Sequence, residues 1–235
     1  MKKLLYILII PFSLLLVNCG EEELQPATYV PDYYFEQELI NLGLDDVLDD
    51  YVLTGNINDL KALDISDLEI EDLTGIEDFT SLTSLNCFQN QLTSLNLRNN
   101  TALTNLHCAS NQLTSLNVSN NTALTNLHCG NNQLTSLDVS YNTSLTTLLC
   151  SGNSLTSLDI SNNTALTYLQ CIDSQLTSLD VRNGNNTNVT YFRINSNPGL
   201  SCINVDNAAW STSNWIGDGW TFTFDNQHYF SEDCP

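Results

Sequence analysis

Residues 103–123 read LTNLHCASNQLTSLNVSNNTA, and close variants of this stretch open at Leu82, Leu103, Leu124, Leu145 and Leu166, 21 residues apart. Each unit has two halves, LTNLHCASNQ from Leu103 and LTSLNVSNNTA from Leu113 in the quoted copy. Both halves fit L-x-x-L-x-Φ-x-x-N, where Φ is cysteine in the first half and Leu, Val or Ile in the second. Leu106 and Cys108 are two residues apart, so a short strand turns both side chains to the same side. One unit alone has nothing to bury that apolar face against. Stacked coils, with parallel strands about 4.8 Å apart, bury it as continuous ladders. Asn90, Asn111, Asn132 and Asn153 recur at the turn after the first half, where their amides can satisfy backbone groups left unpaired inside a core. Ser174 interrupts that row in the fifth coil.

The pattern holds from Leu60 to about Asn197 and resembles the leucine-rich repeat, with paired halves similar to the nested short-repeat class found in bacteria. The resemblance implies a repeat solenoid wound as a right-handed coil. It also implies a parallel β-sheet on the concave face, with short strands or extended segments on the convex face. From Leu60 to Ser81 runs a 22-residue coil with one LxxLDI strand, which resembles internalin-type repeats; Ile70, Leu73, Ile76 and Phe79 are expected to fill its back.

Five segments follow: 1–18, 19–27, 28–59, 60–199 and 200–235. Lys2 and Lys3 precede an apolar run from Leu4 to Val17, too short for a spanning helix and broken by Pro11, which reads as a signal peptide. Leu16-Val17-Asn18-Cys19 resembles the lipobox of bacterial lipoproteins, which implies lipidation of Cys19 and retention at a membrane; the alternative is simple secretion with Cys19 an ordinary cysteine. Glu21-Glu22-Glu23 resembles the acidic tag of surface-exported lipoproteins, and equally fits a solvated tether. Phe35, Leu39 and Leu42 share one face of a helix expected between Pro31-Asp32 and Gly43, covering the first coil. The loop of Asp45, Asp46, Asp49 and Asp50 is either solvated or a calcium ligand set, although it lacks regular ligand spacing. At the far end Trp210, Trp215, Trp220, Phe222, Phe224 and Phe230 are expected to seal the last coil. The run NPGLSCINVDN through SEDCP resembles the C-terminal cap of secreted bacterial proteins of this class.

Of eight cysteines, Cys87, Cys108, Cys129, Cys150 and Cys171 keep the repeat, Cys19 is the lipid candidate, and Cys202 and Cys234 fall outside the row and are expected to pair. The five repeat cysteines read as buried thiols acting as small hydrophobes, with inter-coil bridging the alternative. A formal charge of -21, with 18 of 27 acidic residues between Glu21 and Asp78, excludes nucleic acid as a partner. No Ser-His-Asp or Cys-His arrangement and no Gly-rich phosphate loop stands out, so no catalytic residue, cofactor or metal is expected. The asparagine sequons at Asn99, Asn120 and Asn162 repeat with the coil and are assigned to turn chemistry.

The two halves differ in their outward positions. The second half keeps serine, as Ser94, Ser115, Ser136, Ser157 and Ser178. In the first half the third position runs Ser84, Asn105, Asn126, Thr147, Tyr168, Tyr191, and the fifth Asn86, His107, His128, Leu149, Gln170, Arg193. The seventh position includes Phe88 and Ile172. Leu63-Asp64-Ile65 and Phe192-Arg193-Ile194 share the phase of the cysteine half, which assigns the continuous sheet to it. The expected ligand-binding set is therefore Phe88, Asn105, His107, Asn126, His128, Leu149, Tyr168, Gln170, Ile172, Tyr191 and Arg193. Varied chemistry on a regular lattice suits a surface that engages a protein or glycan at the cell surface. The alternative is a structural or adhesive coat protein.

Overall fold

The computed structural model describes residues 25–235. The signal segment, Cys19 and the Glu21 to Glu23 run lie outside the described residues. Strand β1 (Ala27–Tyr29) comes first, followed by helix α1 (Tyr33–Asn41), strand β2 (Tyr51–Leu53) and the single turn α2 (Thr54–Ile57). β1 and β2 pair antiparallel, a small sheet the sequence reading did not anticipate. Asp32 starts α1: its Oδ1 accepts the Tyr34 and Phe35 N–H groups at 3.0 Å each. Its Oδ2 accepts the Glu71 and Asp72 N–H groups at 2.8 and 3.0 Å, which ties the cap to the first coil. Phe35 and Leu39 are fully buried, and the Phe35 ring lies 6.0 Å from Phe79. Leu42 departs from expectation. The helix ends at Asn41, so Leu42 is its C-terminal capping residue, 49% exposed, ahead of Gly43 at φ 72°.

The remaining chain winds a parallel β-solenoid of about seven turns. The first-half strands are β3 (Ala62–Asp64), β4 (Ser84–Asn86), β5 (Asn105–His107), β6 (Asn126–His128), β7 (Thr147–Leu149), β9 (Tyr168–Gln170) and β11 (Tyr191–Arg193). With β13 (Phe222–Thr223) they make one eight-stranded sheet. Its register matches Leu63, Leu85, Leu106, Leu127, Leu148, Leu169 and Phe192 across neighbours, all buried. The second halves of the early coils form no strand. Those of later coils form β8 (Ser157–Asp159) and β10 (Ser178–Asp180), which join β12 (Cys202–Asn204) and β14 (Tyr229–Ser231) in a four-stranded sheet.

The asparagine row works as a ladder. Asn111 donates from Nδ2 to the Cys87 and Cys108 carbonyls at 2.9 and 3.2 Å, and its Oδ1 accepts the Leu92 N–H at 3.0 Å. Ser174 removes one rung, taking instead a 3.6 Å contact from the Cys171 thiol, and Asn197 restores the pattern. A second asparagine ladder runs through the other side of the coils. Asn100, Asn121, Asn142 and Asn163 are completely or almost completely buried; Asn121, for example, donates to the Leu97 and Asn100 carbonyls at 3.1 and 2.9 Å. The sequon residues Asn99, Asn120 and Asn162 beside it are exposed.

Cys87, Cys108, Cys129, Cys150 and Cys171 are free and fully buried among the leucines. Burial pushes the Cys87 thiol up to about 12 and those of Cys108 and Cys129 well above their ordinary range, so they stay protonated. Cys202 and Cys234 are bonded, Cα to Cα 5.8 Å. The C-terminal segment both seals the end and continues the coil, since β12, β13 and β14 lengthen both sheets. Trp215, 3% exposed beyond helix α3 (Ala208–Asn214), packs 4.8 Å from Phe192 and 5.5 Å from Phe230. Trp220 is no part of the seal. It is 80% exposed, because its backbone is drawn into a turn where the Asp218 carboxylate accepts the Trp220, Thr221 and Phe222 N–H groups.

Candidate binding face

Alternation along each three-residue strand turns the middle residue inward and the other two outward. The outer face of the eight-stranded sheet therefore carries two parallel rows. Third-position residues Asn105, Asn126, Tyr168 and Tyr191 form one, and fifth-position residues His107, His128, Leu149, Gln170 and Arg193 the other. Phe88 and Ile172 lie past the ends of their strands, half-buried beside the second row. All eleven residues expected from the sequence thus share this face.

Strand spacing brings neighbours in a row into contact. The Asn126 amide donates to Asn105 Oδ1 at 2.7 Å, and the Asn86 amide to Asp64 Oδ1 at 3.0 Å. The Phe88 ring stacks on His107 at 4.9 Å, and His107 meets His128 edge-on at 5.0 Å. Partial burial holds both imidazoles below the ordinary histidine range; Asp64 opposes this at His107, whereas His107 adds to it at His128. A shallow depression lined by Asp64, Asn86, Asn105, His107, Asn126 and His128 runs along this stretch. At the other end Tyr168 and Tyr191 stack at 3.9 Å, almost parallel. Arg193 lies over the Tyr191 ring, donating from Nη1 to the Tyr191 hydroxyl at 2.9 Å and from Nε to Thr223 Oγ1 at 3.3 Å.

Two contributors escaped the sequence reading. Leu42, Leu44, Leu60 and Ala62 line an apolar depression that continues into the histidine stretch through Asp64, Ser84 and Asn86. Gly43, which ends α1, was the signal that Leu42 falls outside the helix face. Thr223 extends the outer rows beyond Arg193, and the alternation of Phe222-Thr223-Phe224 could have disclosed it.

Among the described residues no group of three or more His, Cys, Asp or Glu is arranged to hold a metal ion. In the acidic loop the Asp45 and Asp49 carboxylates accept the N–H groups of Asp46 and Tyr51, and Glu36 accepts that of Asp49. No helix of the described residues is long and apolar enough to cross a membrane.

Comparison with known proteins agrees with this geometry. The family model of the leucine-rich-repeat domain of the endo-beta-N-acetylglucosaminidase EndoS matches residues 53–163. The functional domain of InlJ from Listeria monocytogenes, described as including a cysteine ladder, superposes with a TM-score of 0.59 at 35% identity. That match covers 77% of this chain and 38% of the InlJ chain. The internalin InlF of the same species gives a TM-score of 0.62 at 24% identity over 75% of this chain and 56% of its own. A leucine-rich-repeat protein of Leptospira interrogans gives 0.54 at 22% over 64% and 45%; these last two similarities show the fold alone. The chain thus spans well under two thirds of each of these structures. No curated protein matches it in sequence. The protein is therefore a leucine-rich-repeat solenoid with internalin-like bacterial structural neighbours.

Proposed function

We propose that the outer face of the eight-stranded sheet binds a macromolecular ligand, a protein or a glycan, at the bacterial cell surface. One observation carries the reading: on a single lattice, side chains of the first-half face change in nearly every coil while the second-half face repeats the exposed serines Ser94, Ser115, Ser136, Ser157 and Ser178. Stability alone asks for no such difference, because both rows point away from the leucine core. The lipobox-like Leu16 to Cys19 and the acidic run after it support lipid anchoring in the outer membrane with the solenoid facing outward. The formal charge of -21 argues against nucleic acid. We read the protein as a binding protein and not an enzyme.

The test is capture of partners by the mature ectodomain, followed by substitution. Phe88→Ala, Tyr168→Ala and Arg193→Ala weaken binding without lowering the melting temperature, and at least one of them costs about 2 kcal/mol, as Tyr and Arg hot spots do. Alanine at Ser115, Ser136 and Ser157 leaves affinity unchanged. The reverse pattern would assign the working face to the second half. A second reading, a structural or adhesive coat, draws on the exposed Tyr29, Tyr33, Tyr34 and Tyr51 of the N-terminal cap and on Trp220. Self-association with no saturable partner would favour it.

A further inference from the structure

In the eight-stranded sheet, outward-facing residues of β3, β4, β5, β6, β7, β9 and β11 include two formal charges, Asp64 on β3 and Arg193 on β11. The two strands are six spacings apart in the sheet order, roughly 29 Å at about 4.8 Å each, well beyond the Debye length of about 8 Å at physiological salt. Arg193 therefore has no electrostatic partner across the face. Nor has it a local one: the ion pair found among the described residues joins Arg182 to Asp180. In a chain with 27 acidic residues, a half-buried guanidinium near the end of a row without a carboxylate against it is unusual. The group is also held in place. Tyr191 and Thr223 accept from Nη1 and Nε, and the Tyr191 hydroxyl is set by donating to Gln170 Oε1 at 3.4 Å. Two hydrogen bonds use two of the five donors, leaving three N–H groups in a preorganised fork.

We propose that Arg193, framed by Tyr168, Tyr191 and Gln170, takes a carboxylate, and that this carboxylate is an acidic side chain of a polypeptide partner. The assignment rests on the binding-face reading and adds the chemical class of the ligand at one end of it. An isolated carboxylate matches the fork in a bidentate pair, and a single negative charge is repelled less by this acidic chain than a dianion would be. Polypeptide is favoured over acidic sugar by two features. The facing sides of the Tyr168 and Tyr191 rings cover one another at 3.9 Å, which removes those faces as platforms for a sugar ring and presents edges, hydroxyls and the guanidinium instead. The opposite end of the face is the apolar depression of Leu42, Leu44, Leu60 and Ala62, which suits an aliphatic or aromatic side chain.

Random peptides displayed on phage, panned against the mature protein and against its Arg193→Gln variant, test this. The expected result is a set of wild-type binders sharing one Asp or Glu, each losing about tenfold or more in affinity against Arg193→Gln. Changing that peptide acid to its amide should cause the same loss and add nothing in the Arg193→Gln background. An unchanged melting temperature shows that the variant is folded. Binders that lack a shared acid but are weakened by Tyr168→Ala or His128→Ala would overturn the carboxylate assignment while keeping the binding face. Binders weakened only by substitutions in the serine row would overturn both. A chain that selects no peptide yet binds uronic- or sialic-acid glycans on an array through Arg193 would replace the polypeptide by a sugar.

Discussion

Just before each position of the first ladder, Ser174 included, the backbone enters the left-handed region, at Gln89, Ser110, Asn131, Gly152, Asp173 and Ser196. Five of the six carry a side chain there at a cost of about 1 to 2 kcal/mol each. Only Gly152 avoids it, at φ 67°, and a Cβ at that position would run into the Asn131 side chain. Gly152→Ala should therefore destabilise the solenoid by about 1 to 2 kcal/mol, read as a lower urea midpoint at unchanged slope. The histidine pair makes a different residue-scale prediction. Folding lowers both imidazole values from the ordinary 6.5, so the unfolded chain takes up protons first as pH falls. Their contribution is present above pH 6.5 and is lost as pH drops through 6.5 toward the folded values. Melting temperatures at pH 7.5 and 5.5 should fall further in the wild type than in a His107→Gln, His128→Gln double variant. An equal fall in both would mean that other groups, the carboxylates foremost, set the acid sensitivity.

At the scale of elements, the open end of a solenoid is its weak point, because the first coil has a core face and no preceding coil to cover it. α1 covers it through Phe35 and Leu39, and Asp32 locks the helix there by accepting four backbone N–H groups, two from α1 and two from the first coil. Asp32→Ala should cost about 2 kcal/mol or more, since capping residues alone are worth about 1 to 2 and here two further donors lose their acceptor. Hydrogen exchange should localise the loss to α1 and β3; an even loss along the coils would refute the lock. The same device recurs at the other end, where Asp225 accepts the Ser196 and Asn197 N–H groups at 2.9 and 2.7 Å. Neither role was visible in the sequence, because each aspartate reaches a segment nearly thirty or more residues away.

For the whole molecule, the cysteines divide by mechanism. The bond between Cys202 and Cys234 closes a 32-residue separation, for which chain entropy gives a stabilisation of about 3 to 4 kcal/mol. Cys202→Ser should cost that much and unseat the aromatic cap, seen as a shift of Trp215 emission toward that of solvent-exposed indole. Cys129→Val, a near-isosteric change inside the ladder, should be close to neutral. Thiol titration of the denatured, unreduced chain lacking Cys19 should find five free cysteines, and one would indicate bridges within the ladder.

The repeat, its phase, the sheet that carries the varied rows and the Cys202–Cys234 pair were all legible in the sequence, because each depends on short-range periodicity or on departure from it. Leucine two residues from cysteine dictates which side chains turn inward, and the 21-residue interval dictates which coils stack. What tertiary structure alone decided depends on contacts across many residues. It exposes Leu42 where the helix stops short and leaves Trp220 outside the seal. It turns Asn100, Asn121, Asn142 and Asn163 into a buried second ladder, hidden in sequence by their resemblance to the exposed asparagines beside them. It also brings Thr223 from the cap to Arg193, 30 residues earlier, and leaves that guanidinium without a carboxylate. Periodicity fixes which face a residue joins; which neighbour it meets there depends on how the coils stack and where the caps close them.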